Sequence, residues 1–249
     1  MKKNGFKPAA LNRWIDAKGA EAVQMYEGKM VQMYDHRAAD VVVNAENLHR
    51  AAQPETISVV EKMSMNRYPK LQFFVLAAET TSNPYEWALG YKEISAPTNA
   101  INLFILEQLP VIAPARFDEA LPAAFAQAMR AAKLMNGHHP QPTVADFVIP
   151  QVLALTNTAH DMAPFARDLG YVDAAGQVLP PFVWSDEERR TRLAALDALF
   201  FYLYGLSADD AAYILDTFPI VRDQDIKAFG SYRTQQDVLA HMKWLESRD

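Results

Sequence analysis

The sequence contains no cysteine among its 249 residues. Disulfide bonds, thiolate metal sites and cysteine nucleophiles are therefore excluded. Long apolar runs are also absent, since none approaches the roughly 20 residues that cross a bilayer as a helix. The N-terminal residues MKKNGFKPAALNRW lack the continuous apolar core of a signal peptide. These absences predict a cytoplasmic protein with no membrane partner.

Glycine is scarce as well, with 9 residues in the chain, and no two of them form a G-x-G turn. Such a turn lets the backbone approach a nucleotide or methyl donor closely. No cofactor is therefore predicted. The six histidines are scattered, and the one adjacent pair lacks the spacing of metal ligands on a helix. Glu27-Gly28-Lys29 with Asp16 upstream matches nuclease spacing only in its bare outline. We therefore predict no catalytic residue and no metal site.

Charge is distributed unevenly along a chain whose formal net charge is -6. Residues 1–70 carry 11 Lys and Arg against 8 Asp and Glu, whereas residues 185–249 carry 8 against 12. An acidic balance argues against nonspecific binding of nucleic acid over the whole surface. Any polyanion site is expected in the N-terminal third or on a local cluster of cations.

Strand signals concentrate in the first half of the chain. Val41–Val43, Leu71–Ala78 and Tyr85–Ile94 have the composition of strands. Ile101–Leu109 suits a buried helix or a buried strand, and periodicity does not decide between them.

Helix signals dominate the second half. An Ala-rich amphipathic run over Phe117–Met135 ends at Asn136-Gly137, and Asp146–Thr158 has helical spacing broken at Pro150. Ser185 with Glu188 predicts a capping box for a helix that Gly205 closes. Ser207 and Thr234 are expected to begin two further helices. The chain is thus predicted to be α+β, with a mixed region over 1–136 that holds a small sheet and a mainly helical region over 143–249.

Four separated blocks of the sequence, in order, carry a family resemblance. They are MYEGKMVQMYDHRAA (25–39), FILEQLPVIAP (104–114), NTAHDMAPFARDLGY (157–171) and the run from Trp184 to Thr234. Together they resemble the region that follows the catalytic domain in type IIG-like restriction–modification adenine-specific DNA methyltransferases. The resemblance implies a cytoplasmic role in DNA modification and DNA as a partner.

The catalytic loop of that family, an Asp, Asn or Ser followed by Pro-Pro and Tyr or Phe, has no full match. Ser82-Asn83-Pro84-Tyr85 lacks the second proline, and in Leu179-Pro180-Pro181-Phe182 the first side chain cannot accept a hydrogen bond. The family also has a long segment between the blocks at 85–99 and 104–114, which looks deleted here. That segment holds much of the target-recognition module, so sequence-specific base readout is in doubt. No activity is expected of the chain alone.

The cations and one aromatic residue inside the blocks are the candidates for surviving DNA contact. Lysine and arginine would meet phosphates, and a tyrosine would hydrogen-bond or stack. The candidates are Lys29, His36 and Arg37 in the first block and Arg222, Lys227, Tyr232 and Arg233 in the last.

Two hypotheses for function follow. The first is a non-catalytic DNA-binding or specificity component that acts with a separate methyltransferase catalytic subunit. The alternative is a degenerate interaction or scaffold protein without DNA binding. An exposed apolar patch without a flanking basic rim would favour the alternative.

Overall fold

A computed structural model describes residues 5–9, 12–43, 52–80, 94–96, 99–100, 110–137 and 140–247. Short antiparallel sheets and eight α-helices occupy these residues, so the predicted α+β class is confirmed. The predicted strand Tyr85–Ile94 lies outside the described residues except at its last position. The turn Ser82–Tyr85 and the apolar run Ile101–Leu109 lie outside them entirely.

The chain divides into two compact units that do not follow its order. The first unit comprises residues 1–109 and 153–184, and the second comprises 110–152 and 185–249. The division differs from the predicted one at 136–143, because the segment 153–184 bonds to the first unit. Arg37 Nη2 donates to the Thr158 carbonyl at 2.9 Å, and the His160 amide donates to the Met65 carbonyl at 3.1 Å.

The first unit holds a four-stranded antiparallel sheet in the order β1-β2-β3-β6 and a separate pair of strands, β4 and β5. The paired segments rich in aromatic and β-branched residues match the composition expected of strands. Strand bounds are β1 (Lys7–Pro8), β2 (Trp14–Ile15), β3 (Glu21–Met25), β4 (Ala39–Val42), β5 (Gln53–Thr56) and β6 (Phe73–Leu76). A further pair joins β7 (Ile94–Ala96) to β8 (Asn99–Ala100).

Two short helices complete the first unit. Helix α1 (Val59–Lys62) begins at a capping box in which the Ser58 and Glu61 side chains accept each other's backbone N–H. Helix α4 (Ala163–Asp168) follows a 3₁₀ turn in the segment that returns to this unit. The apolar core here is small and centres on Met30, Val41 and Ala52.

The second unit is helical. Its elements are α2 (Ala123–Ala131), the first part of α3 (Val144–Thr156), α5 (Asp186–Leu203), α6 (Ala208–Asp216), α7 (Pro219–Phe229) and α8 (Arg233–Glu246). Helix α2 is shorter than predicted because Pro122 precedes it and Lys133 turns into the left-handed region at φ 58°. The predicted break at Pro150 is wrong, since α3 continues through that residue despite the lost amide donor.

Helix α5 is the centre of the second unit. The Ser185 hydroxyl accepts from the Glu188 amide at its start, and Gly205 follows its end at φ 76°, as a C-terminal glycine requires. Its middle turns are buried at Ala194, Ala195, Leu196, Ala198 and Leu199. Helix α8 packs against α5 through Val238, Met242 and Leu245, a helical spacing that places all three on one face. In the described part of the chain, no helix combines the length and apolar character needed to cross a membrane.

Candidate functional site

The seven residues predicted to contact DNA do not form one group. Lys29, His36 and Arg37 belong to the first unit, and Arg222, Lys227, Tyr232 and Arg233 belong to the second. Each set is therefore considered within its own unit.

Arg37 is inaccessible to a phosphate, with 0% of its surface exposed. Its guanidinium donates to four backbone carbonyls, those of Lys62, Ser64, Arg67 and Thr158, at 2.9–3.2 Å. Charged hydrogen bonds of this kind are each worth about 1.5–3 kcal/mol. Arg37 thus joins three chain segments of the first unit, and the predicted DNA contact is corrected to a structural role.

A buried group of charged and aromatic side chains surrounds this arginine, and we call Asp35, Arg37, Lys62 and Trp184 the Arg37 cluster. Lys62 Nζ lies 2.7 Å from Asp35 Oδ2 and 4.3 Å from the centre of the Trp184 ring. Asp35 also accepts from the Arg37 amide at 2.9 Å. Burial lowers the pKa of Arg37, an effect opposed by the nearby carboxylates of Asp161 and Asp35. Each buried cation therefore has compensating partners, as burial of charge demands.

The other two candidates of the first unit are partly covered. His36 Nε2 lies 3.0 Å from Asp161 Oδ1, and its Nδ1 atom is buried without a hydrogen-bond partner. Lys29 Nζ donates to the Ala52 carbonyl and pairs with Glu27, both at 2.8 Å. The side chain of Lys29 remains 29% exposed. Lys29 is therefore the most accessible of the three cations, although it is already paired.

Tyr232 is also buried, at 8% exposure, and its hydroxyl donates to the Leu215 carbonyl at 2.8 Å. Desolvation, with the nearby carboxylates of Asp225 and Asp216, raises the pKa of its phenol. The hydroxyl ties the start of α8 to the end of α6. Base stacking at this residue is therefore corrected to helix packing.

Arg233 takes part in a junction of three helices in the second unit. The guanidinium carbons of Arg190 and Arg233 lie 4.5 and 5.2 Å from the centre of the Phe229 ring. Glu187 accepts from both arginines at 2.7 Å. Two buried donors of Arg190 have no conventional partner, which the adjacent ring face partly compensates. The junction holds the start of α5, the end of α7 and the start of α8 together.

Arg222 and Lys227 are the remaining candidates, and both lie on α7. Arg222 is 42% exposed at its side chain and sits 3.7 Å from Asp223. Lys227 is exposed. Two cations on a helix that also carries Asp223 and Asp225 do not make a basic stripe.

The most unusual surface of the second unit is apolar. Helix α7 has no buried residue, although it contains three β-branched apolar side chains. Several large apolar side chains on α6, α7 and the link between them are exposed: Tyr213 (75%), Phe218 (51%), Ile220 (62%), Val221 (37%) and Ile226 (48%). An isolated exposed apolar residue is ordinary, but a group of them within fourteen residues is typical of an interaction site.

The charge around these side chains is acidic. Residues 207–230 hold five aspartates against Arg222 and Lys227, a net charge of -3. We define the acidic–apolar surface as Tyr213, Phe218, Ile220, Val221 and Ile226 together with the exposed carboxylates Asp209, Asp216 and Asp223. This is the apolar patch without a basic rim that the alternative hypothesis requires.

Sequence reasoning missed this surface because it missed α7 itself. Phe218-Pro219 looks like a break, although proline is well suited to the first turn of a helix. The available signal was the run of Ile220, Val221 and Ile226 between charged residues, which no opposite apolar face explains.

Chemistry-bearing clusters are lacking in the described part of the chain, where no three His, Cys, Asp or Glu side chains converge on a metal position. Comparisons with protein-family models, curated proteins and solved structures found no match. The geometry described above therefore carries the functional argument together with the sequence blocks.

Proposed function

We propose that this chain is a non-catalytic accessory component of a DNA-modification system that acts by binding a separate methyltransferase polypeptide. The observation that carries the proposal is the acidic–apolar surface on α6 and α7. It lies within the block from Trp184 to Thr234, the most specific of the four blocks that resemble DNA methyltransferases. Exposed apolar groups of this kind mark surfaces that bind other proteins.

Two further observations favour a protein partner over direct reading of DNA. Arg37 and Tyr232 are buried and bonded within their own units. The described cations that remain accessible, such as Lys29 and Lys227, are scattered over two units rather than aligned. DNA contact by Lys29, His36, Arg222, Lys227 and Arg233 stays a secondary prediction, expected to be weak and to lack base specificity.

The test is co-expression of the full chain with a DNA adenine methyltransferase polypeptide of the resembled family from the same genome. We expect the two chains to co-purify and to remain associated during size-exclusion chromatography. DNA binding by the isolated chain is measured in parallel at several salt concentrations, because phosphate contacts give a negative salt slope. Failure to bind either the methyltransferase or DNA would remove the basis for this function.

A further inference from the structure

We infer that the acidic–apolar surface binds a segment of a partner polypeptide that presents an apolar face flanked by lysine or arginine side chains. The inference rests on the proposed function for the partner's identity. Its chemistry comes from the surface itself.

The apolar half of the argument comes from α7. A helix normally buries an apolar stripe against its own domain, but α7 buries no side chain completely. Its less exposed positions, Arg222 and Asp225, are polar, and Asp225 accepts from the Thr234 amide at 2.6 Å. The contacts of α7 with α8 thus use polar groups, while Ile220 and Ile226 face solvent. This helix has an apolar face without a partner in its own unit.

The charged half of the argument comes from the spacing of the aspartates. On a helix, residues three or four apart are neighbours on one face. Asp209 and Asp216 therefore flank Tyr213 on α6, and Asp223 lies beside Ile220 on α7. Asp216 accepts from Gln235 at 3.0 Å and Asp223 is 3.7 Å from Arg222, contacts that leave all three carboxylates exposed. An apolar face bordered by carboxylates is complementary to an apolar face bordered by cations.

The same charge disfavours the two other occupants of such a surface. DNA would bring phosphates against a segment of net charge -3. A second copy of the chain would pair this surface with itself by two-fold symmetry, which places like charges together. A cationic amphipathic segment meets neither penalty, and helix-in-groove recognition offers it a known mode of binding.

Two synthetic helical peptides test the inference without any methyltransferase. Both carry the same leucine face, and their flanking positions are lysine in one and glutamate in the other. We expect the lysine peptide to bind the full chain at least about tenfold more tightly, since charged rims discriminate between partners. Its NMR shift changes should map to residues 208–229. Equal affinity for the two peptides, or binding confined to other residues, would overturn the inference.

Two variants and their matched controls locate the site. Ile220→Asp should weaken lysine-peptide binding by about tenfold or more, as expected for a central apolar contact. Asp209→Lys with Asp223→Lys should weaken it comparably and reduce its dependence on salt. The controls are Val111→Asp, at a residue 85% exposed away from the surface, and Glu55→Lys on an exposed strand of the first unit. Losses as large in the controls as in the surface variants would contradict the assignment.

The same variants separate this inference from the proposed function. If the wild-type chain co-purifies with the methyltransferase and Ile220→Asp does so equally well, the surface is wrong and the function stands. If the lysine peptide binds at α6 and α7 but no methyltransferase does, the surface stands and the function is wrong. Light scattering completes the test, because a dimer disrupted by Ile220→Asp would assign the surface to self-association instead.

Discussion

The two units of this protein bury different kinds of side chain. Among the described residues, six of the seven buried polar or charged residues belong to the first unit, including Asp35, Arg37, Asp40 and Lys62. The second unit buries apolar helix faces, and its single buried polar residue is Gln151. One unit therefore depends on satisfied hydrogen bonds and ion pairs, and the other depends on close apolar packing.

This difference affects where a binding surface can form. In the first unit, the predicted cations are partly or wholly used to hold chain segments together, as Arg37 shows with its four carbonyl acceptors. In the second unit, α5 and α8 supply an apolar core of their own, so α7 is free to present apolar side chains outward. Stability and interaction are therefore assigned to different elements in the second unit.

The largest expected effect is at Arg37. Arg37→Met removes the partners of four buried carbonyls and leaves Asp35 and Lys62 in an altered charge balance. We expect the free energy of unfolding to fall by about 3–5 kcal/mol, as when one partner of a buried ion pair is removed. Urea denaturation measures the loss, and hydrogen exchange should place it in residues 12–43, 52–80 and 153–184. A loss below about 1 kcal/mol would show that the first unit does not depend on this cluster.

A comparable truncation in the second unit is Leu199→Ala. Leu199 is fully buried on α5, so the variant leaves a cavity and should cost about 2–5 kcal/mol. Unlike the loss at Arg37, this one should be insensitive to salt, because no charge is removed. Increased hydrogen exchange is expected in α5 and α8. If the faster exchange appeared only in the first unit, the separation of the two units would be contradicted.

A smaller effect of opposite sign is expected at Asp197, a half-buried carboxylate on α5 for which no hydrogen bond or ion pair is found among the described residues. Burial raises its pKa to about 6 from the ordinary 3.8. A raised folded-state pKa means that stability is full below the unfolded value and is lost as pH rises through about 6. Asp197→Asn should therefore stabilise the protein by about 2 kcal/mol at pH 8.

The comparison of thermal unfolding at pH 8 and pH 4 tests this prediction. The stabilisation by Asp197→Asn should shrink at pH 4, where the wild-type carboxyl is largely protonated in the folded state. Asp209→Asn, at an exposed carboxylate on α6, is the control and should show no such pH dependence. An unchanged or lower melting temperature for Asp197→Asn at pH 8 would be the opposite result.

The smallest effect is expected at Asn157. This residue is 1% exposed, and neither its amide nitrogen nor its amide oxygen has a hydrogen-bond partner. Asn157→Leu removes two unsatisfied polar atoms at similar volume, so stability should change by no more than about 1 kcal/mol. Urea denaturation would measure this beside Arg37→Met. A large loss at Asn157 would mean that its amide is satisfied in solution, for example by buried water.

The local rules of helix termini predicted parts of the second unit well. Ser185, Gly205 and Ser207 mark the start of α5, its end and the start of α6, because caps depend only on neighbouring residues. The predicted strand at Leu71–Ala78 is confirmed in its centre as Phe73–Leu76. These features require no knowledge of distant contacts.

The failures share a dependence on distant residues. Arg37 looks like a surface cation until Thr158 and Ser64 supply its carbonyl acceptors from far along the chain. Strand β5 has the sequence QPET, which lacks a strand pattern and is specified by its pairing with β4. The exposed face of α7 has no periodic signal, because periodicity reports packing within one domain and this face has none.

The central claim is that the chain serves a protein partner through α6 and α7. Hydrogen exchange of the full chain, with and without the co-expressed methyltransferase polypeptide, tests it most directly. We predict slower exchange confined to residues 208–229 in the complex. Protection around Lys29 and His36 instead, or no protection anywhere in the chain, would contradict the claim.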